Sequence, residues 1–340
     1  MKHKVLLTCS DFRWYGESYK RSFEKNNSEI IICQSHLGPQ EKEYYKRLKA
    51  YLGFSMKKDR YNKKKIFNQL VLSKAEFFKP DIIYSVLSFD LERETLCKLK
   101  KNAKLVLFLS DSLELYPESE NNLDLFDLVF SYEMRDVKAL RRRGIKAFPQ
   151  MGAYDEAQYF KIDNIERDID VSLVGKMYNE RKVILERLVN DLPDLKLKFY
   201  GEYAPKRKPL SYIKWLTSKK MQQAFANKNI HYTETNLIYN RSKIVLNINC
   251  LQSQSGWSSR LPEISCTGAF QIVDKNPEIE REFGDDLIMY SSYDDLLSKI
   301  RFYINNNGER ERLALSTYKH VKDMTLTNNI KIVIEETEKI

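Results

Sequence analysis

The chain reads as an α/β protein made of two domains in series, each a parallel sheet covered by helices, followed by a helical tail. Three observations predict this. Short apolar runs alternate with helical segments through the first half; the alternation breaks near residues 150–166; and it then starts again. A length of 340 residues also exceeds what one hydrophobic core serves well and suits two domains of ordinary size.

In order, Val5–Cys9 is the first strand, Ser18–Lys25 a helix and Glu29–Cys33 the second strand. Glu41–Phe78 is rich in helix formers and poor in breakers, so it is expected to be helical. Pro80–Val86 is a strand, Glu92–Lys101 a helix, and Lys104–Leu109 and Leu125–Ser131 are strands. Met134–Arg143 is a helix stopped by Gly144. Pro149, Gly152 and a polar stretch then mark the boundary, giving a first domain over 1–155 and a second over 166–325. The second holds strands at Asp168–Leu173, Leu195–Tyr200, Ile244–Ile248, Ala269–Val273 and Leu287–Tyr290. Its helices are Asn179–Asn190, Arg260–Cys266, Tyr293–Asn306 and Glu309–Asp323, and the tail is a helix within 326–340.

Composition excludes several classes. Hydrophobic residues are 42% and charged residues 31%, a globular mixture. The longest apolar runs, such as Leu105–Leu109, fall far short of the roughly 18 residues a membrane span needs. The apolar run at the N-terminus is too short for a secretory core and meets Asp11 and Arg13, so it reads as a buried strand. The five cysteines are scattered without metal-ligand spacing, which predicts reduced core thiols, a cytoplasmic location and no metal site. No P-loop, G-x-G-x-x-G or Gly-x-Ser-x-Gly pattern occurs, which argues against P-loop kinases, common dinucleotide oxidoreductases and serine hydrolases.

One stretch carries chemistry. Ser242–Asn249 reads as a strand, Gly256-Trp257-Ser258-Ser259 as a polar turn, Arg260–Cys266 as a short helix, and Gly268 leads into a strand ending at Asp274. A helix start behind Gly256, Ser258 and Ser259 offers open backbone N–H groups and a positive dipole end, which suits a diphosphate. Arg260 adds a fork for phosphate oxygens. Glu263, one turn on, can accept hydrogen bonds from two ribose hydroxyls. The plain alternative is a capped helix with a surface Arg/Glu pair.

This region resembles the C-terminal half of the CgeB-like proteins, spore-maturation relatives of the group 1 glycosyltransferases. The matching residues are Ser242 to Ile248, Gly256, Arg260, Glu263, Gly268 and Asp274, followed by Phe283–Tyr290, Tyr293–Leu296 and Asn307–Arg312. Upstream, Asp170–Gly175 followed by Arg181 is similar to the family's first strand and helix of that domain. The resemblance covers roughly residues 127–325 by inspection and is thin over 1–80. It implies two Rossmann-like domains facing across a cleft (the GT-B type), a nucleoside diphosphate sugar as co-substrate and no cofactor or essential metal. By position, Glu263 takes the place of the second Glu of the Glu–seven residues–Glu motif and would hold the donor ribose, whereas the first Glu falls at Ser255. Gly175, Lys176 and Arg181 sit in and after the first glycine turn, where the two cations either face the diphosphate or begin a solvated helix. Asp11 and Asp111 follow predicted strands at the sheet edge where ligands bind, so each is either a general base for the acceptor hydroxyl or a loop and cap residue.

Net charge is +10, and residues 42–79 alone carry twelve Lys/Arg against three acids. That segment is either a solvated helical hairpin or a contact with anionic lipid near a lipid-linked acceptor. A single-stranded nucleic acid would suit its charge and aromatics, but no nucleic-acid motif accompanies them. A second basic patch runs from Glu202 to Lys220. The expected activity is transfer of a sugar to a cell-envelope, polysaccharide or protein acceptor. The competing readings are a nucleotide-sugar epimerase of the same fold, which the histidine-poor second half disfavours, and a non-enzymatic binder of anionic polymer or membrane.

Overall fold

The computed structural model describes residues 2–9, 15–35, 56–87, 90–115, 117–205, 209–249 and 254–340. Asp11, Cys250 and residues 42–55 of the basic segment lie outside these. The chain forms two compact units, one of Met1–Met151 with Leu326–Ile340, the other of Gly152–Thr325.

The first unit holds six parallel strands: β1 (Lys4–Cys9), β2 (Glu29–Gln34), β3 (Ile82–Val86), β4 (Lys104–Leu109), β5 (Leu128–Ser131) and β6 (Ala147–Pro149). They lie in the order β2-β1-β3-β4-β5-β6. Successive side chains of a strand point to opposite faces, and both faces here are apolar. Val5 and Leu7 of β1 pack on one side, with Tyr84, Phe108 and Phe130, under α1 (Tyr15–Lys25). Leu6 packs on the other, with Ile83, Leu107 and Val129, under α2 (Met56–Phe78), α3 (Arg93–Leu99) and α4 (Met134–Arg142). Two 3-10 stretches, Leu113–Leu115 and Pro117–Leu125, precede β5. The strand accordingly starts three residues later than the apolar run suggests, at the point where the Asp127 carboxylate accepts the Leu105 N–H at 2.8 Å. β6 has no counterpart in the sequence reading, because Pro149 truncates its apolar run to three residues.

The second unit holds β7 (Ile169–Val174), β8 (Leu197–Tyr200), β9 (Ser242–Asn247), β10 (Phe270–Asp274) and β11 (Ile288–Tyr290), parallel in the order β11-β10-β9-β7-β8. One face packs Val171, Leu173, Leu246 and Ile272 against Leu185 and Leu188 of α5 (Asn179–Asp191). Between Gly201 and Ile244, where the sequence reading has no element, the chain forms α6 (Pro209–Thr217), α7 (Lys219–Ala224) and α8 (Tyr232–Arg241). After β9 come α9 (Arg260–Ser265) and α10 (Pro277–Phe283), then α11 (Tyr293–Asn305) and α12 (Asn307–His320).

The helical C-terminal end is present as α13 (Leu326–Glu338). It returns to the first unit, where Ile330 and Val333 are fully buried in the core beside Tyr19 and Phe23 of α1. The Asn26 side-chain amide donates to the Thr327 carbonyl at 2.9 Å, and His3 meets Glu338 at 2.7 Å. Cys9, Cys33 and Cys266 are buried thiols, while Cys97 is exposed. No described helix is long and apolar enough to cross a membrane.

Candidate functional site

The candidate residues of the second unit collect at the carboxyl ends of β7, β9 and β10, the edge where open α/β sheets take ligands. Their positions are set by glycine backbones and buried polar side chains rather than by apolar packing alone.

Gly175 ends β7 and Gly201 ends β8. A Cβ on Gly201 would lie 2.1 Å from the Gly175 carbonyl oxygen, so only glycine lets the two strand ends approach this closely. A Cβ on Gly175 would come within 3.0 Å of Nη1 of Arg181 and, equally, of Nη2 of Arg260. The two guanidinium groups therefore converge over one glycine, no farther apart than twice that distance.

Arg181 is 2% exposed. Its guanidinium donates to the carbonyls of Lys176 and Ile248, bridging the β7 turn to the end of β9. It is therefore a buried bridge between the two strand ends rather than a solvated side chain. Arg260, half-buried, makes a longer contact to the same Ile248 carbonyl at 3.5 Å. Lys176 is exposed, with its ammonium 5.1 Å from the centre of the Tyr178 ring.

Helix α9 is held to the sheet by Gln271 of β10, which is buried and donates to the Leu261 carbonyl at 2.9 Å and to the Ser265 hydroxyl at 2.7 Å. Asn247 of β9 donates to the Gln271 side-chain oxygen at 3.0 Å. This buried network, in which the Asn247 Oδ1 has no partner among the described residues, sets the orientation of the helix, and with it Arg260 and Glu263, one turn apart. Glu263 is half-buried.

The loop before α9 is less open than its sequence suggests. Gly256 is buried, and its carbonyl accepts from the Asn276 amide at 2.9 Å. Asn276 in turn caps α10 through the N–H groups of Glu278 and Ile279. A Cβ on Gly152 would lie 2.1 Å from the Ser258 carbonyl carbon and 2.2 Å from the Ser259 nitrogen, so the Gly152 backbone abuts that peptide. Ser258 and Ser259 remain half-buried, and Ser259 begins the helix without a side-chain cap. The cationic fork, more than a row of open N–H groups, is what this end presents.

Asp274, at the end of β10, is matched in the sequence pattern but is given no role there. Its carboxylate accepts from the Asn249 backbone N–H at 2.8 Å and from the Asn249 amide at 3.2 Å. Burial pushes its pKa above the ordinary value, while the Asn249 N–H and the charges of Arg181 and Arg260 pull it back. Its signal in the sequence is an acid closing the apolar run Phe270–Val273, visible only once the sheet order is known. Two arginines thus face one carboxylate, which leaves positive charge for an anionic ligand.

Asp111 follows β4 in the first unit and is half-buried. Arg181, Arg260 and Glu263 belong to the other unit, and Asp11 lies outside the described residues. Among the described residues no three His, Cys, Asp or Glu side chains gather as a metal site would require.

No curated protein matches the chain by sequence. Sucrose-phosphate synthase from Thermosynechococcus elongatus superposes with a TM-score of 0.70 at 10% identity, over 99% of this chain and 98% of that one. HepE from Anabaena, in complex with UDP-glucose, gives 0.69 at 10% identity over 99% and 100%. A glycosyltransferase from Rickettsia africae gives 0.65 at 13% identity over 99% and 98%. Residues 181–331, from Arg181 through α9 and into α13, match the model of the family described as glycosyl transferase-like. At these identities the structures establish the fold, and the fold of this chain is that of the GT-B glycosyltransferases.

Proposed function

We propose that the protein is a glycosyltransferase that moves a sugar from a nucleoside diphosphate sugar to a hydroxyl of a glycan, lipid-linked or protein acceptor, and that it is of the CgeB-like kind. The observation that carries this reading is the convergence of the Arg181 and Arg260 guanidinium groups over Gly175. The family match of residues 181–331 and the UDP and UDP-glucose held by the structural neighbour HepE support it.

In the transfer, the bond between the anomeric carbon and the diphosphate oxygen breaks, and the acceptor oxygen bonds to that carbon as its proton leaves. Negative charge grows on the departing diphosphate. Preorganised cations aimed at developing charge lower a barrier more than cations that only bind the ground state. Arg260, half-buried and lightly committed to the protein, takes that role. Arg181, tied to two carbonyls, holds the turn in place and adds fixed positive charge. Lys176, exposed with its ammonium over the Tyr178 ring, adds a further cation, and Glu263 holds the donor ribose. In this reading the first unit takes the acceptor, with Asp111 as the described carboxylate to test as its base. The basic segment 42–79, of which α2 is described, is assigned to contact with anionic lipid.

A thermal-shift panel of nucleoside diphosphates and their sugars tests the donor reading. Ligand at about 100 times its dissociation constant stabilises by about 2.7 kcal/mol, a readily measured shift. Glu263→Ala should mainly raise the donor KM. A panel with no shift from any nucleoside diphosphate or sugar nucleotide would sink the proposal.

A further inference from the structure

Helix α6 carries the densest exposed apolar surface among the described residues. Leu210 is 83% exposed, Ile213 55% and Leu216 48%. No other described helix exposes more than one large hydrophobic side chain to this degree. Spaced three apart, these residues fall within an arc of about 120° on a helix of 3.6 residues per turn. They form one ridge from Leu210 to Leu216, about 9 Å of helix axis at about 1.5 Å per residue, on a helix of nine residues.

The opposite side of the helix is fastened. Trp215 packs against the core of the second unit, and its indole N–H donates to the Phe225 carbonyl at 3.3 Å. The Tyr212 ring lies 5.8 Å from that of Trp215. The ridge is thus outward by construction: turning it inward would expose the indole and break that bond.

Charge says what the ridge meets. Lys219 and Lys220, which begin α7, are exposed. By sequence, residues 206–220 contain Lys206, Arg207, Lys208, Lys214, Lys219 and Lys220 and no acid, although 206–208 lie outside the described residues. A protein interface core is poor in lysine. An exposed aliphatic ridge on a helix bracketed in sequence by lysines matches the chemistry of an anionic bilayer surface, which takes aliphatic groups into its acyl boundary and ammonium groups at its phosphates.

We propose that α6 is a membrane-docking helix of the second unit, seating Leu210, Ile213 and Leu216 in an anionic lipid surface. This stands apart from the donor site and from the basic segment 42–79, which belongs to the other unit.

The test is flotation of the full chain with phosphatidylcholine vesicles, with and without about a third phosphatidylglycerol. The parent should float with anionic vesicles, less so as salt rises, and weakly with neutral ones. L210S/I213S/L216S should lower the apparent affinity roughly a hundredfold, given three aliphatic groups withdrawn from lipid. K219E/K220E should lower it at least about tenfold and make the salt dependence shallower, the rest being left to the segment 42–79. All three positions of the ridge are exposed, so circular dichroism and unfolding temperature should match the parent. The proposal is overturned if the triple variant keeps its vesicle affinity within about twofold, or if the parent ignores anionic vesicles. It is equally overturned if the triple variant only converts a dimer to a monomer, which would make the ridge a contact between copies of this chain.

Discussion

Replacing Arg260 with alanine separates binding from folding at this site. Among the described residues, Arg260 has one long hydrogen bond, 3.5 Å to the Ile248 carbonyl, and it is half-buried. Its removal should cost the fold about 1 kcal/mol or less, since Ile248 keeps its bond from Arg181. Against a diphosphate the same side chain counts for more. Two unit charges about 4 Å apart interact by roughly 4 kcal/mol at an effective dielectric of about 20, an upper bound here because the group is half solvated. Charged hydrogen bonds measured by truncation give about 1.5–3 kcal/mol, which corresponds to roughly 10–150-fold in dissociation constant. Calorimetric titration of UDP and UDP-glucose into parent and Arg260→Ala protein should show a loss in that range, with turnover falling further than affinity. Arg181→Met supplies the contrast. It takes the buried guanidinium from the Lys176 and Ile248 carbonyls, which keep only the Tyr178 N–H at 3.2 Å and the Arg260 contact at 3.5 Å, so about 1.5–3 kcal/mol of stability should go. If Arg260→Ala binds within about twofold of the parent, or unfolds as early as Arg181→Met, the assignment of Arg260 to the ligand is wrong.

Three further outcomes are expected. Gly201→Ala should destabilise by about 3 kcal/mol or more, because its Cβ would lie 2.1 Å from the Gly175 carbonyl oxygen and the backbone cannot yield cheaply; a melting temperature within about 2 °C of the parent would contradict this. Asp274 has a folded pKa above its unfolded value of about 3.9, so the folded state binds the extra proton and stability falls as pH rises through the folded pKa. Asp274→Asn should remove that slope, and denaturant unfolding across pH 4–8 should show the difference between parent and variant growing toward high pH; a constant difference would refute it. Asp168 behaves oppositely. The Arg241 fork at 2.7 Å and Lys196 at 2.6 Å hold its carboxyl well below the ordinary range. Its stabilisation is present above about pH 3.9 and is lost as pH falls through the folded pKa, so Asp168→Asn should cost about 1 kcal/mol at neutral pH, discounted for partial exposure, and almost nothing in strong acid.

The sequence by itself determined the strand and helix sequence of most of the chain, because apolar periodicity is a local property that neighbouring residues write into one another. Val5–Cys9, Lys104–Leu109 and Ala269–Val273 are legible as buried strands for this reason, and Arg260 and Glu263 are legible as a pair because three residues of helix put them on one face. Where local signals are short or mixed, the pattern fails: Pro149 cuts β6 to three residues, and the basic stretch before β9 hides α6 to α8 behind its lysines. The site itself is a different kind of object. Gly175, Arg181, Ile248, Arg260 and Asp274 lie at or after the ends of three strands, β7, β9 and β10, spread over about a hundred residues, and nothing local links them. Only strand order β11-β10-β9-β7-β8 brings them together. Only tertiary packing sinks Arg181 to 2% exposure, seats Gly152 on the Ser258–Ser259 peptide and turns Trp215 inward so that Leu210, Ile213 and Leu216 face out. Burial and convergence are sums over distant neighbours, and a one-dimensional pattern holds the neighbours without the distances.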